Sequence, residues 1–125
     1  MQEHTVNDIT EKIIGSAYRV GNTLGSGFLE KVYENALFHE LRKIGLLVKK
    51  QVPLKVYYDD VIVGEYFVDL LVEDSVVVEL KSTKAIDNSH FAQCLNYLKA
   101  TNRRLGLIIN FGAGRVQVKR VIDNL

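Results

Sequence analysis

The sequence predicts a mixed α+β fold, in which helices flank a central mixed β-sheet in the order α-α-β-β-β-α-β-β. Three observations support this prediction. Apolar residues recur at steps of three and four through residues 6–44. Residues 48–81 are rich in β-branched and aromatic residues and contain two short polar turns. Another amphipathic segment then precedes two short apolar runs. We therefore expect an antiparallel three-strand meander, joined through a crossover helix to two further strands.

Two helices are predicted before the meander. The first spans residues 6–24 and ends where Gly25, Ser26 and Gly27 follow. The second spans residues 28–44, with Gly45 as its stop signal.

The remaining elements follow from turn and cap signals. The predicted strands are residues 48–58, 61–72, 76–81, 105–110 and 115–121. Asp59-Asp60 forms the first turn and residues 73–75 form the second. A third helix should start at the cap-forming run 87–89 and end at about Thr101.

Composition excludes several classes of protein. The 125 residues, of which 47% are hydrophobic and 25% charged, suit one globular domain over residues 1–125. Cys94 is the only cysteine, which excludes a disulfide framework and a cysteine-rich zinc site. His4, His39 and His90 form no pair at metal-binding spacing. The polar start of the chain is no signal peptide and no apolar run could span a bilayer, so we expect a cytoplasmic protein without membrane contact.

Charge is unevenly distributed, although the formal net charge is only +1. Residues 51–75 contain one Lys against six Asp and Glu, whereas residues 76–125 contain eight Lys and Arg against three Asp and Glu. An acidic middle could bind a cation and a basic end a phosphate backbone. From charge alone, chance clustering is the preferred interpretation.

The second predicted hairpin places three charged residues together. A three-residue turn centred on Asp74 puts Asp69 directly opposite Glu79, and Lys81 points to the same face. Phe67 and the other neighbours on that face are apolar, and Val68 is expected on the opposite face with Leu70. Facing carboxylates in apolar surroundings need positive charge, which Lys81 and a hard divalent cation such as Mg²⁺ or Mn²⁺ would supply. The alternative is a salt-bridge cluster without metal, which these three residues alone slightly favour.

Polar stripes on two helices flank this strand pair. His90, Gln93 and Tyr97 share one face of the third helix, and Glu30 and Tyr33 are adjacent on the second. Each stripe alone is most simply a solvated helix face. Beside a charged strand pair, both stripes become candidate parts of a site.

These motifs resemble a known superfamily. The run 27–33, GFLEKVY, resembles the signature of the GxxExxY proteins. Asp69 with the later Glu79-Leu80-Lys81 resembles the D…ExK motif of the PD-(D/E)XK nuclease superfamily. Gln93 and Tyr97 resemble the QxxxY motif of its RecB-like members, and the combined likeness covers about residues 10–121. The motif's usual Pro is replaced by Val68.

The resemblance implies a restriction-endonuclease-like fold and a metal site. Asp69, Glu79 and the Leu80 carbonyl would bind Mg²⁺ or Mn²⁺. Lys81 would orient or help deprotonate the attacking water and stabilise charge on the phosphate. Glu30 matches an acidic residue that many members contribute to catalysis from the first core helix.

The same resemblance assigns substrate contacts to Gln93 and Tyr97. Tyr33, adjacent to Glu30, and His90, on the same helix face as Gln93, are added as candidate substrate contacts. The implied function is Mg²⁺-dependent hydrolysis of nucleic acid, with DNA expected rather than RNA. Basic side chains could hold the backbone or be merely solvated: Arg103, Arg104, Arg115, Lys119 and Arg120.

Two other classes of function stay open. One is a non-catalytic module that keeps the nuclease fold and binds nucleic acid or protein. The other is a dimeric structural protein in which the charged trio is only a salt-bridge cluster. A chain of this length offers little surface for gripping a duplex, so we expect a homodimer with Tyr57, Tyr58 and Tyr66 as interface candidates.

Overall fold

The computed structural model describes residues 5–124, and within them it confirms the predicted order of elements. The helices are α1 (Val6–Leu24), α2 (Glu30–Lys43) and α3 (Asn88–Thr101). The strands are β1 (Val48–Tyr58), β2 (Val61–Val72), β3 (Val76–Lys81), β4 (Leu105–Asn110) and β5 (Gln117–Ile122). No helix within the described range is long and apolar enough to cross a membrane.

One five-stranded sheet connects the strands in the order β1-β2-β3-β4-β5. β3 and β4 are parallel, and the other neighbours are antiparallel. The parallel pair is joined through α3, because parallel neighbours need a crossover connection. The predicted mixed sheet with an antiparallel meander is therefore confirmed.

The second helix begins two positions later than predicted. Leu29 is its N-cap and has extended backbone angles, φ −68° and ψ 153°. The Phe28 N–H donates a hydrogen bond to the Tyr33 hydroxyl, 3.2 Å away. A partner outside the helix backbone therefore holds the segment before Glu30 extended.

Different helices cover the two faces of the sheet. Ile13 of α1 and Leu37 of α2 are fully buried in a first core cluster, which also contains Leu70. Leu98 of α3 is fully buried in a second cluster with Val77. The first cluster thus lies under α1 and α2, and the second under α3.

The predicted face assignments were wrong for two residues of β2. Val68 was expected beside Leu70, but it packs in the second cluster with Leu71. Phe67, expected as an apolar neighbour of the carboxylates on a covered face, is 55% exposed. Strict alternation along the strand therefore does not hold between Val68 and Leu70.

A local break in the β1–β2 pairing explains this exchange. Val48 packs in the first cluster and Leu54 in the second, although regular alternation would put both on one face. Gln51, between them, has a φ of +50°, and the paired register omits Gln51 and Asp69. Both strands therefore change face at the position where Asp69 lies.

A buried amide fixes the loop that follows β3. Asn110 is fully buried; its side-chain oxygen accepts from the Thr83 N–H at 3.0 Å, and its side-chain nitrogen donates to the Thr83 carbonyl at 3.0 Å. The Gly112 N–H also donates to the Asn110 side chain, at 3.0 Å. A methyl group on Gly112 would lie only 2.4 Å from the Thr83 nitrogen. The loop after Lys81 is thus packed directly against the β4–β5 turn.

Candidate metal and phosphodiester site

Asp69 and Glu79 lie where β2 and β3 separate. The observed register pairs Leu70 with Val78 and confirms the predicted turn, but the pairing stops there. At the next position, carboxylate oxygens replace backbone carbonyls as hydrogen-bond acceptors. The Asp69 N–H donates to Glu79 Oε2 at 2.9 Å, and the Leu80 N–H donates to Asp69 Oδ2 at 2.8 Å. Each carboxylate is therefore held by the backbone of the opposite strand.

The Leu80 carbonyl faces the same gap. In an extended strand the N–H and C=O of one residue point toward the same neighbouring strand. Since the Leu80 N–H points to Asp69, its carbonyl points toward β2 as well, where the β2–β3 pairing has ended. A backbone oxygen thus adjoins the two carboxylates.

Burial makes ionisation of both carboxyl groups unfavourable. Glu79 is only 4% exposed, and burial, reinforced by the nearby Asp69 charge, raises its pKa to about 8. Burial also raises the pKa of Asp69, where the Leu80 N–H acts in the opposite direction and the Glu34 charge adds to the increase. A buried acid beside a half-buried one would be stabilised by a cation.

Lys81 does not neutralise the carboxylates by direct contact. Its Nζ lies 3.4 Å from Gln93 Oε1. Within residues 5–124, no ion pair joins Lys81 to Asp69 or Glu79 at 4.0 Å or less. Its charge nevertheless lowers the pKa of both acids, as a secondary influence. The geometry therefore differs from the predicted alternative of a closed salt-bridge cluster.

Two residues of the site were not predicted from the sequence. Gln51 Nε2 donates to Glu34 Oε1 at 2.7 Å and lies 3.4 Å from Asp69 Oδ1. Glu34 is 4% exposed and also pairs with Lys31 at 2.8 Å. Glu34 follows Glu30 by one helical turn, which could have signalled its position. No sequence signal indicated Gln51, because its role depends on the local break in β1.

Glu30 lies at the edge of this arrangement. It is exposed at the first position of α2, and its negative charge contributes to raising the pKa of Asp69 and of Glu79. It is therefore close enough to influence the carboxylate pair, although no hydrogen bond joins it to them.

Tyr33 lies in the core, contrary to its expected role as a substrate contact. It is fully buried, its ring stacks on Phe111 with centroids 4.5 Å apart, and its hydroxyl donates to the Gly25 carbonyl at 2.5 Å. Because none of its surface is accessible, Tyr33 is better explained as the residue that fixes the loop between α1 and α2.

The three α3 residues expected at the site have different surroundings. Gln93 contacts Lys81, as described. Tyr97 is 7% exposed, and burial, followed by the influence of the Glu79 charge, raises its pKa to about 12. His90 instead caps the helix: its Nδ1 accepts from the Asp87 N–H at 3.2 Å, while Asp87 accepts from the His90 N–H at 3.2 Å. Gln93 and Tyr97 thus belong to the site's surroundings, and His90 has a structural role.

The oxygen ligands suit a hard cation that keeps several waters. Within the described part of the chain, no three His, Cys, Asp or Glu residues form a metal-binding group. Asp69 Oδ2 and Glu79 Oε2 accept backbone hydrogen bonds, and Asp69 Oδ1 accepts only a long one, of 3.4 Å, from Gln51. Asp69 Oδ1, Glu79 Oε1 and the Leu80 carbonyl are therefore the candidate metal ligands. Mg²⁺ is commonly bound by one or two carboxylates, water and substrate phosphate. The donor set therefore fits Mg²⁺ or Mn²⁺.

Of the basic residues expected to hold a phosphate backbone, Arg103 is already engaged. Its guanidinium donates to Asp74 Oδ1 at 2.6 Å and to the Asp74 carbonyl at 2.9 Å. It thereby braces the β2–β3 turn. Arg104 and Arg115 are exposed, and Lys119 lies 6.0 Å from the Phe91 ring centroid.

Fold and site together define a nuclease-like α+β protein with a carboxylate pair at a sheet opening. A model of the PD-(D/E)XK nuclease superfamily matches residues 7–121, and the chain belongs to that superfamily. No curated protein matches it. The crystal structure of a protein designated SSO0001 is similar at 14% identity and a TM-score of 0.48, over 100% of this chain and 70% of that chain.

Proposed function

We propose that this protein is a divalent-metal-dependent nuclease that hydrolyses phosphodiester bonds, with DNA as the expected substrate rather than RNA. The observation that carries the proposal is the adjacent pair of half-buried Asp69 and buried Glu79, which has no direct ion-pair partner among the described residues. Superfamily membership supports the same activity. The motif in residues 27–33 supports placement among the GxxExxY proteins.

Asp69 Oδ1, Glu79 Oε1 and the Leu80 carbonyl would hold Mg²⁺ or Mn²⁺. When bound, the ion would polarise a phosphate oxygen and lower the pKa of a coordinated water. The protein's own contribution is to keep both carboxylates fixed through the opposite strand's N–H groups. Such a fixed arrangement needs little reorganisation during the reaction.

Lys81 would act on the substrate side of the carboxylates. Its ammonium group would orient the attacking water and offset the negative charge that develops on the phosphate oxygens. Water would add to phosphorus and release one proton to the solvent, the bond to the leaving oxygen would break, and that oxygen would take up a proton from the solvent. Gln93 supports this role because it touches Lys81 Nζ. Glu30 and Tyr97 would border the site without contacting the metal.

Cleavage by matched variants tests the proposal. Single-stranded, duplex and branched DNA, and RNA of the same sequence, are incubated with Mg²⁺ or Mn²⁺. We expect metal-dependent cleavage, reduced by about 100-fold or more in Glu79→Ala and in Lys81→Ala. Asp60→Ala and Lys49→Ala serve as controls, since both residues are exposed and, within the described residues, no hydrogen bond or ion pair joins either of them to Asp69 or Glu79.

The outcomes separate the alternatives. Cleavage that persists in Glu79→Ala and Lys81→Ala would come from a contaminant and would refute the assignment. Calorimetry should detect Mg²⁺ or Mn²⁺ binding that Asp69→Ala abolishes; equal heats from both proteins would remove the metal site. Oligonucleotide binding without any cleavage would favour the non-catalytic module. Sedimentation velocity tests the homodimer, which stays a prediction.

A further inference from the structure

A groove runs between the β1–β2 hairpin and α3. Its volume is about 810 Å³. The hairpin wall includes Tyr57 and Tyr66, and the α3 wall includes Gln93, Asn96 and Lys99. The α3 residues follow at steps of three, so they form one stripe along the helix.

The aromatic wall is available for stacking. Tyr66 is 45% exposed, and its ring lies 5.6 Å from the Tyr97 ring, which is nearly buried. Gly64 leaves room for that ring, since a methyl group there would lie 3.3 Å from Tyr66 Cε2. Tyr57 is 59% exposed on the neighbouring strand. The groove thus presents tyrosine rings that are only partly covered by the rest of the protein.

The charge of the groove favours a polyanion. Lys55 and Lys99 line it, and no acidic residue does. Neither lysine forms an ion pair at 4.0 Å or less within residues 5–124. Lys55 lies opposite Glu65 in the strand pairing, so that carboxylate offsets part of its charge. Lys99 is therefore the better residue for testing the contribution of positive charge to binding.

The groove borders the carboxylate site through Gln93. Gln93 lines the groove and also contacts Lys81 Nζ at 3.4 Å. Tyr97 lines it too, and the charges of Glu79 and Asp69 influence its hydroxyl. A strand lying in the groove would therefore lead toward the two carboxylates.

We propose that this groove binds a single-stranded stretch of nucleic acid and directs it to the site at Asp69 and Glu79. Its direction toward a reaction rests on the proposed nuclease function, but binding in the groove does not. Tyrosine faces stack on unpaired bases, and lysines hold the backbone. A duplex keeps its bases stacked inside, so it offers the tyrosine wall no base faces. The exposed amide of Asn96, which has no hydrogen-bond partner within residues 5–124, adds a hydrogen-bonding group beside the bases.

Binding is measured in EDTA, so that no cleavage interferes. Fluorescence anisotropy compares a labelled mixed-sequence single strand, as DNA and as RNA, with a hairpin duplex of the same sequence. We expect the single strand to bind more tightly, and Tyr66→Ala to weaken its binding about 5- to 150-fold. Lys99→Ala should reduce the slope of log affinity against log salt by about 0.7. The DNA and RNA arms identify which strand chemistry is preferred.

Controls keep the test independent of folding. Tyr66→Phe retains the ring and should bind like the wild type, which assigns binding to the ring and not to the hydroxyl. Urea unfolding of Tyr66→Ala separates a lost stacking face from a destabilised hairpin, since only the latter lowers the free energy of unfolding. Tyr58→Ala removes a 71% exposed tyrosine of the same hairpin outside the groove, and Lys49→Ala removes an exposed lysine elsewhere on β1. Both should bind like the wild type.

Two results distinguish this inference from the nuclease proposal. Equal binding by wild type and Tyr66→Ala, or tighter binding of the duplex, would overturn the groove even if the protein cleaves DNA. Binding that depends on Tyr66 and Lys99, without cleavage in Mn²⁺, would support the groove and refute the nuclease.

Discussion

Glu79 links the chemistry of single residues to stability. In the unfolded chain this carboxyl group loses its proton near pH 4.5, whereas in the folded, metal-free protein it keeps the proton to about pH 8. The folded state therefore binds more protons between these values, and the free energy of unfolding falls as pH rises. We expect Glu79→Gln to flatten this decline in EDTA, measured by urea unfolding at several pH values. Glu65→Gln, at an exposed position, is the control. An equally steep decline in Glu79→Gln would contradict the buried-acid explanation.

Tyr33 gives a second prediction for a single residue. Its hydroxyl donates to the Gly25 carbonyl and accepts from the Phe28 N–H. Tyr33→Phe leaves both groups unpaired and should lower the free energy of unfolding by about 1–3 kcal/mol. Calorimetry should show unchanged Mg²⁺ affinity, because the Tyr33 hydroxyl bonds to the loop between α1 and α2 and not to Asp69 or Glu79. A variant as stable as the wild type that binds nucleic acid less well would instead restore the substrate role.

The residues that could be predicted are those whose partners are fixed by regular geometry. Asp69 and Glu79 meet because a three-residue turn sets the register of β2 and β3. Gln51 could not be predicted, since it reaches Asp69 through a positive φ that its side chain does not signal. Tyr33 was misassigned because helical spacing places it beside Glu30 but does not show how deeply it is buried.

At the scale of elements, the close contact between the loop after β3 and the β4–β5 turn leads to a prediction for Gly112. Gly112→Ala would place Cβ 2.4 Å from the Thr83 nitrogen and 2.5 Å from the Ser82 carbonyl carbon, both backbone atoms. The loop after Lys81 would have to move, so we expect a loss of about 1–3 kcal/mol or more in unfolding free energy. Urea unfolding measures it. Gly15→Ala should be neutral or stabilising, because no described atom outside the local helix backbone would lie within 4 Å of the added methyl group.

Element boundaries were predictable where caps have a local signature. Asp87 begins α3 with a capping box, as its sequence context indicated. The start of α2 could not be predicted in this way, because Leu29 makes no side-chain cap. The segment before this helix is held by a hydrogen bond from the Phe28 N–H to the Tyr33 hydroxyl. The face exchange in β1 and β2 was likewise invisible to a pattern of strict alternation.

For the whole molecule, the hydrophobic pattern of the sequence predicts the order of helices and strands better than it predicts which residues surround the site. Hydrophobic periodicity and short turns predicted three helices and five strands, which the structure confirms in residues 5–124. The groove was not predicted, because it combines residues from a hairpin and a helix that are far apart in sequence. Tyr57 and Tyr66 were expected at a dimer interface, whereas their position beside α3 gives them another proposed role.

A coupling between metal and nucleic acid follows if both sites operate together. Without metal, the carboxylate charges beside the groove repel phosphate; they come from Asp69, Glu34 and Glu30, whereas Glu79 keeps its proton to about pH 8. Mg²⁺ should therefore tighten binding of a single strand, and the strand should tighten Mg²⁺ binding by the same factor, because coupling of two ligands is reciprocal. Anisotropy with and without Mg²⁺ gives the first factor, and calorimetry with and without DNA gives the second. Both are measured in the Lys81→Gln variant, which should not cleave the strand. We expect several-fold coupling that Asp69→Asn abolishes. Two factors equal to one would show that the groove and the carboxylate pair act independently, and coupling that survives Asp69→Asn would place the metal elsewhere.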